Sequence, residues 1–254
     1  MTTSTVKSAL LAAGLLAGTT MPAGAVLQIS ALVNGAALDC ADQQACDTNN
    51  TVGILDVGTQ TLNGVTIFGT FQTQKIATAA GEINRLDTTS FNIENTTGAA
   101  VPIIVAVSGT DFAGPVQIYT ASATTNFSEA IGSTFLLQFY GDATNTQGAD
   151  FPTDHPGSLL TQTSGIVTLQ SQGFSFNDAG PFVDPNLFSL TLFADAVLAA
   201  NGTLTNRTQS IILEQVAVVD EPGGWLNLAT GLGLFGGVGL LARRRSLLAS
   251  PEEA

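Results

Sequence analysis

The sequence predicts an all-β protein built on one antiparallel β-sandwich of jelly-roll type. Three observations carry this prediction. Charged residues are 11% of the 254, far below the usual quarter, so helix-favouring Lys, Glu and Arg are scarce. Thr, Ser, Asn and Gly take their place, an uncharged polar composition suited to strands and turns. The apolar residues recur with a period of two, the spacing of a half-buried strand, and no long window shows a helical period.

The elements follow in chain order. Residues 26–33 form a first strand, and 34–51 read as an acidic loop. Val65, Ile67 and Phe71 share one face of the next strand, and 83–93 is another apolar stretch. Val101, Ile103, Val105 and Val107 make a one-faced set, followed by a short stretch at 116–119. Phe135, Leu137 and Phe139 repeat the pattern, as do Phe188, Leu190 and Leu192. Stretches at 166–169 and 211–219 complete nine or ten strands, with Gly, Asn, Asp and Pro in the gaps. The longest loop is 141–158, which contains Pro152 and Pro156. Together these make one domain, residues 26–218.

Charge excludes one large class of function. Between residues 26 and 220 the only cations are Lys75, Arg85 and Arg207, set against 17 acids, a net charge of −14. A phosphate backbone requires a basic stripe, and three scattered cations cannot build one, so a nucleic-acid partner is excluded.

The two ends read as targeting segments. Residues 1–25 have the form of a secretory signal peptide: Lys7, an apolar run, then small residues Ala23 and Ala25 before a cut ahead of Val26. Near the other end, residues 219–225 lead into an 18-residue apolar run, 225–242, about 27 Å long as a helix and enough to cross a hydrocarbon core. Trp225 is an interfacial anchor, and Arg243, Arg244 and Arg245 hold the far side in the cytoplasm. Residues 246–254 form a short cytoplasmic tail. Gly233 and Gly237 make a GxxxG pair in the run, read as general glycine richness rather than a dimer face.

Asp220-Glu221-Pro222, Trp225, the Gly/Leu-rich run and Arg243–Arg244–Arg245 together, at 219–245, resemble the PEP-CTERM sorting signal. Asp220 stands where that family carries the first Pro of its core, and nine residues follow the arginines. The resemblance implies export by the general secretory machinery and transient anchoring in the inner membrane of a Gram-negative bacterium. Processing by an exosortase would follow, with release to the cell surface or an extracellular matrix of polysaccharide and biofilm. The segments 105–115 and 205–210 resemble stretches that recur in ectodomains preceding this signal; that resemblance implies a β-rich domain and no activity.

The remaining chemistry is sparse. Cys40 and Cys46, the only cysteines, are expected to pair in an exported domain and pin a loop. Asp39, Asp42 and Asp47, with Asn49 and Asn50, could offer oxygen ligands to Ca²⁺, though the spacing matches no EF-hand and a solvated acidic loop is the simpler reading. His155 reads as an exposed loop residue, since no nucleophile elbow accompanies it. Glu82, Glu94, Glu129 and Glu214 single out no carboxylate pair for glycoside hydrolysis. The exported region has no Trp; of Tyr119 and Tyr140, the latter is the better sugar platform, though a core-edge role is the simpler reading for it. Five glycosylation-type sequons begin at Asn49, Asn95, Asn126, Asn201 and Asn206 and follow from composition. The expected function is a non-enzymatic surface or matrix protein without a cofactor. The alternative is a carbohydrate- or calcium-binding module on the same anchor.

Overall fold

The computed structural model describes residues 26–78 and 81–215, apart from the side chains of Asn206 and Arg207. Twelve strands fill this region: β1 Leu27–Val33, β2 Ala36–Ala41, β3 Ile54–Leu62, β4 Val65–Thr78, β5 Gly81–Asn95, β6 Val101–Ala113, β7 Val116–Ser128, β8 Thr134–Asp142, β9 Ser158–Ile166, β10 Ser171–Asp184, β11 Leu187–Leu198 and β12 Thr203–Glu214. They form two antiparallel sheets. Sheet 1 has the order β2-β1-β6-β11-β8-β9, and sheet 2 the order β10-β7-β12-β5-β4-β3. From β5 to β12 every connection except β8–β9 crosses between sheets, the course of a jelly roll.

The strand count exceeds the nine or ten expected, because β2, β3 and β10 are additional. The segment 34–51 is not all loop: residues 36–41 pair with β1. Asn34-Gly35 and Asn63-Gly64 make the two-residue turns of the β1–β2 and β3–β4 hairpins, all four residues at positive φ (45°, 84°, 48° and 79°). Strand β3 escapes the period-two test because a bulge between Val57 and Gln60 shifts its register. Strand β10 carries Gly173, Gly180 and Pro181, which an edge strand tolerates. The expected strand at 166–169 is displaced. Strand β9 ends at Ile166, and Val167 turns into the core with its N–H on Ser133 O (2.8 Å).

The flank where β2 and β3 lie is closed covalently and by backbone pairing. Cys40 and Cys46 form the expected disulfide, and Asp47 bridges to Val57 of β3. At one end Asn95, fully buried, donates Nδ2 to the carbonyls of Ala99, Leu198 and Ala199 and accepts from Thr97 N, tying the β5–β6 turn to the β11–β12 turn.

The interior is aromatic where the sheets meet. Phe135 of β8 lies 5.4 Å from Phe127 of β7 and 4.7 Å from Phe174 of β10. Phe139 of β8 stacks on Phe176 at 5.9 Å, and Phe182 meets Phe188 of β11 edge-on at 5.7 Å. Each ring is an inward residue of its strand, so strand alternation alone delivers the seam. Phe127→Ala will cost about 3–5 kcal/mol, the range for emptying a buried aromatic site; urea unfolding measures it. A cost below 1 kcal/mol would show that this seam does not hold the sheets together.

Candidate functional site

Strand β8 presents its other face to the outside of sheet 1. Tyr140, Gln138, Leu136 and Thr134 alternate along it, opposite Thr191, Phe193, Asp195 and Val197 of β11. Strand β9 brings Gln162, Ser164 and Ile166 alongside. The loop 143–157 folds back over this face. Ser108 of β6 anchors it: its hydroxyl donates to Leu190 O (3.0 Å) and accepts from Gly148 N (3.0 Å) and Thr191 Oγ1 (3.1 Å). Ser189 Oγ donates to Thr146 O (2.6 Å). Ala149 then packs with Ala106, Tyr140 and Phe193 into a small apolar cluster outside the main core.

The loop delivers His155 flat onto Tyr140, centroids 4.6 Å apart and planes 7° apart, and edge-on to Phe193 at 5.3 Å. Tyr140 is only 6% exposed, and burial pushes its phenol pKa upward. Its hydroxyl donates to Gln138 Oε1 (3.0 Å), and Gln138 Nε2 donates to Gln162 Oε1 (2.8 Å). Beyond this amide pair lies a shallow groove of about 380 Å³, lined by Thr134, Leu136, Ser164, Ile166, Asp195 and Val197 among others. An exposed ring, two amides and a carboxylate thus follow one another along β8 and its neighbours. Such a surface can stack against a pyranose face and hydrogen-bond its hydroxyls.

Asp142 starts the loop. Its Oδ1 accepts from Thr144 N (3.0 Å), and Oδ2 from Thr144 Oγ1 (2.6 Å) and Thr146 N (2.9 Å). Burial pushes its pKa up, but these donors outweigh burial and hold it below the usual value. Asn145 exchanges two 2.7 Å bonds with Asp111, accepting from the Asp111 N–H and donating to its carboxylate. The segment 105–115 therefore has a structural job. It ends β6, sets Asp111 at φ 59° to receive Asn145, buries Phe112 against Phe188 and presses Gly114 onto the backbone of residues 184–186.

Other expected residues fall elsewhere. Asp39 turns to Gln28 Nε2 (2.7 Å), away from Asp42 and Asp47. Asp42 accepts from Gly53 N (2.6 Å); Asp47 accepts from the N–H groups of Gln43, Asn49 and Asp56. Burial raises the Asp47 pKa, but those bonds and the Asp42 carboxyl beside it bring it below the ordinary value. These carboxylates cap turns of the disulfide loop. Among the described residues no three or more His, Cys, Asp and Glu gather as a metal site. His155 is exposed, as expected, but it is the outermost ring of a stack; Tyr140 is buried support beneath it rather than the platform. None of Glu82, Glu94, Glu129 and Glu214 lines the groove. Tyr119 is buried, with its hydroxyl on Leu160 O (2.9 Å). The Asn95 sequon is sealed by its own hydrogen bonds. Val26 is exposed just before β1. Ala23, Ala25, Asp220, Glu221, Pro222, Trp225, Arg243, Arg244 and Arg245 lie outside the described residues. Sequence reasoning missed Gln138, Phe193 and Asp195, whose only signal was their outward position in strands already recognised, and Gln162, which lies on β9 ahead of the strand expected at 166–169.

No protein-family model matches the chain, and no curated protein matches it. Among solved structures, it is similar to TmCBM61 in complex with β-1,4-galactotriose (9% identity, 62% of this chain, 85% of that one, TM-score 0.32). It is also similar to a family 11 carbohydrate-binding module from Clostridium thermocellum in complex with a mixed-linked tetrasaccharide (10%, 74% and 96%, TM-score 0.26). A structure of infectious bursal disease virus Gt strain stands at the same level (10%, 76% and 53%, TM-score 0.31). These scores are low, and the functional reading rests on this chain's own residues.

Two carboxylates give opposite pH signatures. Asp142 titrates lower in the folded state than unfolded, so its contribution is lost as pH falls below 3.8. On the outer face of sheet 2, Asp87 is 1% exposed and paired with Arg85. Desolvation raises it, with Gln72 and Arg85 opposing, so stability falls as pH rises just above 3.8. Asp142→Asn will cost about 1–2 kcal/mol at pH 7, because an amide replaces one acceptor oxygen with a donor, and will flatten the acid-side loss. Urea midpoints at pH 7 and pH 3 check both; an unchanged acid slope refutes the assignment.

Proposed function

We propose that this chain is a non-enzymatic exported protein whose β-sandwich binds a neutral polysaccharide on the outer face of sheet 1. The observation that carries the reading is the His155–Tyr140–Phe193 stack beside the Gln138–Gln162 amide pair and the Asp195 groove. The buried Tyr140 fixes the His155 ring in place, so little rotamer freedom remains to be lost on binding. The net charge of −14 between residues 26 and 220 repels polyanions and leaves uncharged polymers as the compatible class. Affinity electrophoresis through gels containing a neutral β-glycan or alginate tests this. The wild type will be retarded by the neutral polymer and not by alginate. His155→Ala will weaken retention about five-fold, the worth of roughly 1 kcal/mol of ring contact. Equal retention of wild type and variant would sink the site.

The same reading places the protein outside the cytoplasm, and the Cys40–Cys46 pairing suits an oxidising compartment. Segments 1–25 and 219–245 then act as signal peptide and exosortase-type sorting signal. Intact mass spectrometry of the protein from its host tests that. A species running from Val26 to the neighbourhood of Glu221-Pro222, found outside the inner membrane, is expected. A chain confined to the membrane and ending at Ala254 would discard the sorting role.

A further inference from the structure

The residues that face outward along β8 form a strip rather than a single pocket. Thr134, Leu136, Gln138 and Tyr140 follow one another at every second position. From first to last they span about 20 Å at the rise of a strand, roughly the length of four pyranose rings in a linear chain. The groove of about 380 Å³ lies at the Thr134 end, where Val197 and Ile166 are 38% and 62% exposed. His155 lies at the Tyr140 end.

The concave surface does not stop at His155. Leu159 of β9 pairs with Tyr140 and is 45% exposed. It leads over the edge of sheet 1 into a second hollow of about 610 Å³, lined by Gly157, Leu159, Pro181, Phe182 and Val183 among others. Glycine at 141 shapes this hollow: a Cβ there would meet the Phe182 ring at 2.6 Å and displace it. The exposed His155 ring is therefore flanked by a hollow on each side. A pocket for one small ligand buries most of that ligand's surface. Two hollows on either side of one ring cannot do this for one sugar, but they can receive neighbouring units of one chain.

The polar groups are spread in the same way. The Tyr140 hydroxyl donates to Gln138, and Gln138 donates to Gln162, so the relay ends on β9 with the exposed Gln162 amide and its Nε2 donor. Asp195, exposed on β11, supplies only acceptors. Strand β8 lies between them, which sets donor and acceptor two strand spacings, about 10 Å, apart. They face different sugar units rather than one. We propose that the site binds an internal stretch of at least four units of a linear glycan, laid from the Asp195 groove across His155 to the Phe182 hollow. The inference rests on the sugar-binding reading above and adds to it a minimum length and an indifference to chain ends.

The test uses the full-length chain in mild detergent and the neutral glycan whose gel retards it. Fragments of two to six units, made from that glycan by partial acid hydrolysis, are titrated calorimetrically. The six-unit fragment is expected to bind about ten-fold more tightly than the two-unit one. Borohydride reduction of its end group will leave its Kd unchanged. Asp195→Ala will weaken the six-unit fragment about five-fold, the worth of roughly one hydrogen bond, with the two-unit Kd and the melting temperature unaffected. His155→Ala will weaken every length. Equal affinity for two and six units, or loss of binding on end reduction, overturns the proposal and leaves the sugar site standing. A wild type retarded by no neutral glycan overturns both.

Discussion

The alternation of β8 is the constraint on which the rest of this molecule depends. Its inward residues, Phe135, Leu137 and Phe139, enter the aromatic seam that joins the sheets. Its outward residues, Thr134, Leu136, Gln138 and Tyr140, form the floor of the candidate site. A register slip of one residue would exchange the two sets, burying two polar side chains and exposing three large apolar ones. The packing of the core therefore fixes the order in which ring, amide and groove appear outside.

The loop 143–157 shows how an irregular segment can be as well defined as a strand. Its backbone groups from Thr144 to Gly148 are satisfied by side chains, Asp142 at the start and Ser108 and Ser189 over the sheet. Ala149 adds an apolar anchor. With these contacts made, His155 reaches Tyr140 in a fixed, near-parallel geometry. An exposed ring held this way differs from an exposed ring at a free loop tip, because its entropy is lost on folding rather than on binding.

Acidity and edge protection work together on this surface. Most of the molecule repels other acidic chains through its excess of carboxylates. One flank is stapled by a disulfide, and on the other β10 carries an exposed Asp178, Pro181 and a register shift before Asp184, features that keep a strand edge from pairing.

Composition and period-two patterning were enough to determine the class of fold, because it follows from residue type and local spacing, and the two cysteines were enough to predict the disulfide. The hairpins at Asn34-Gly35 and Asn63-Gly64 were also legible in principle, since that dipeptide favours the positive φ its turn requires. Strand β3 was hidden by its bulge and β10 by its Gly and Pro, which only an edge position makes acceptable. The site itself was not legible. His155 and Tyr140 are separated by a loop, and Phe193 and Asp195 come from a strand 50 residues further along the chain than Gln138 and its neighbours, by rough count. Local pattern assigns each of them a face, but only the pairing of β8 with β9 and β11, and the folding back of one loop, decides that these faces coincide.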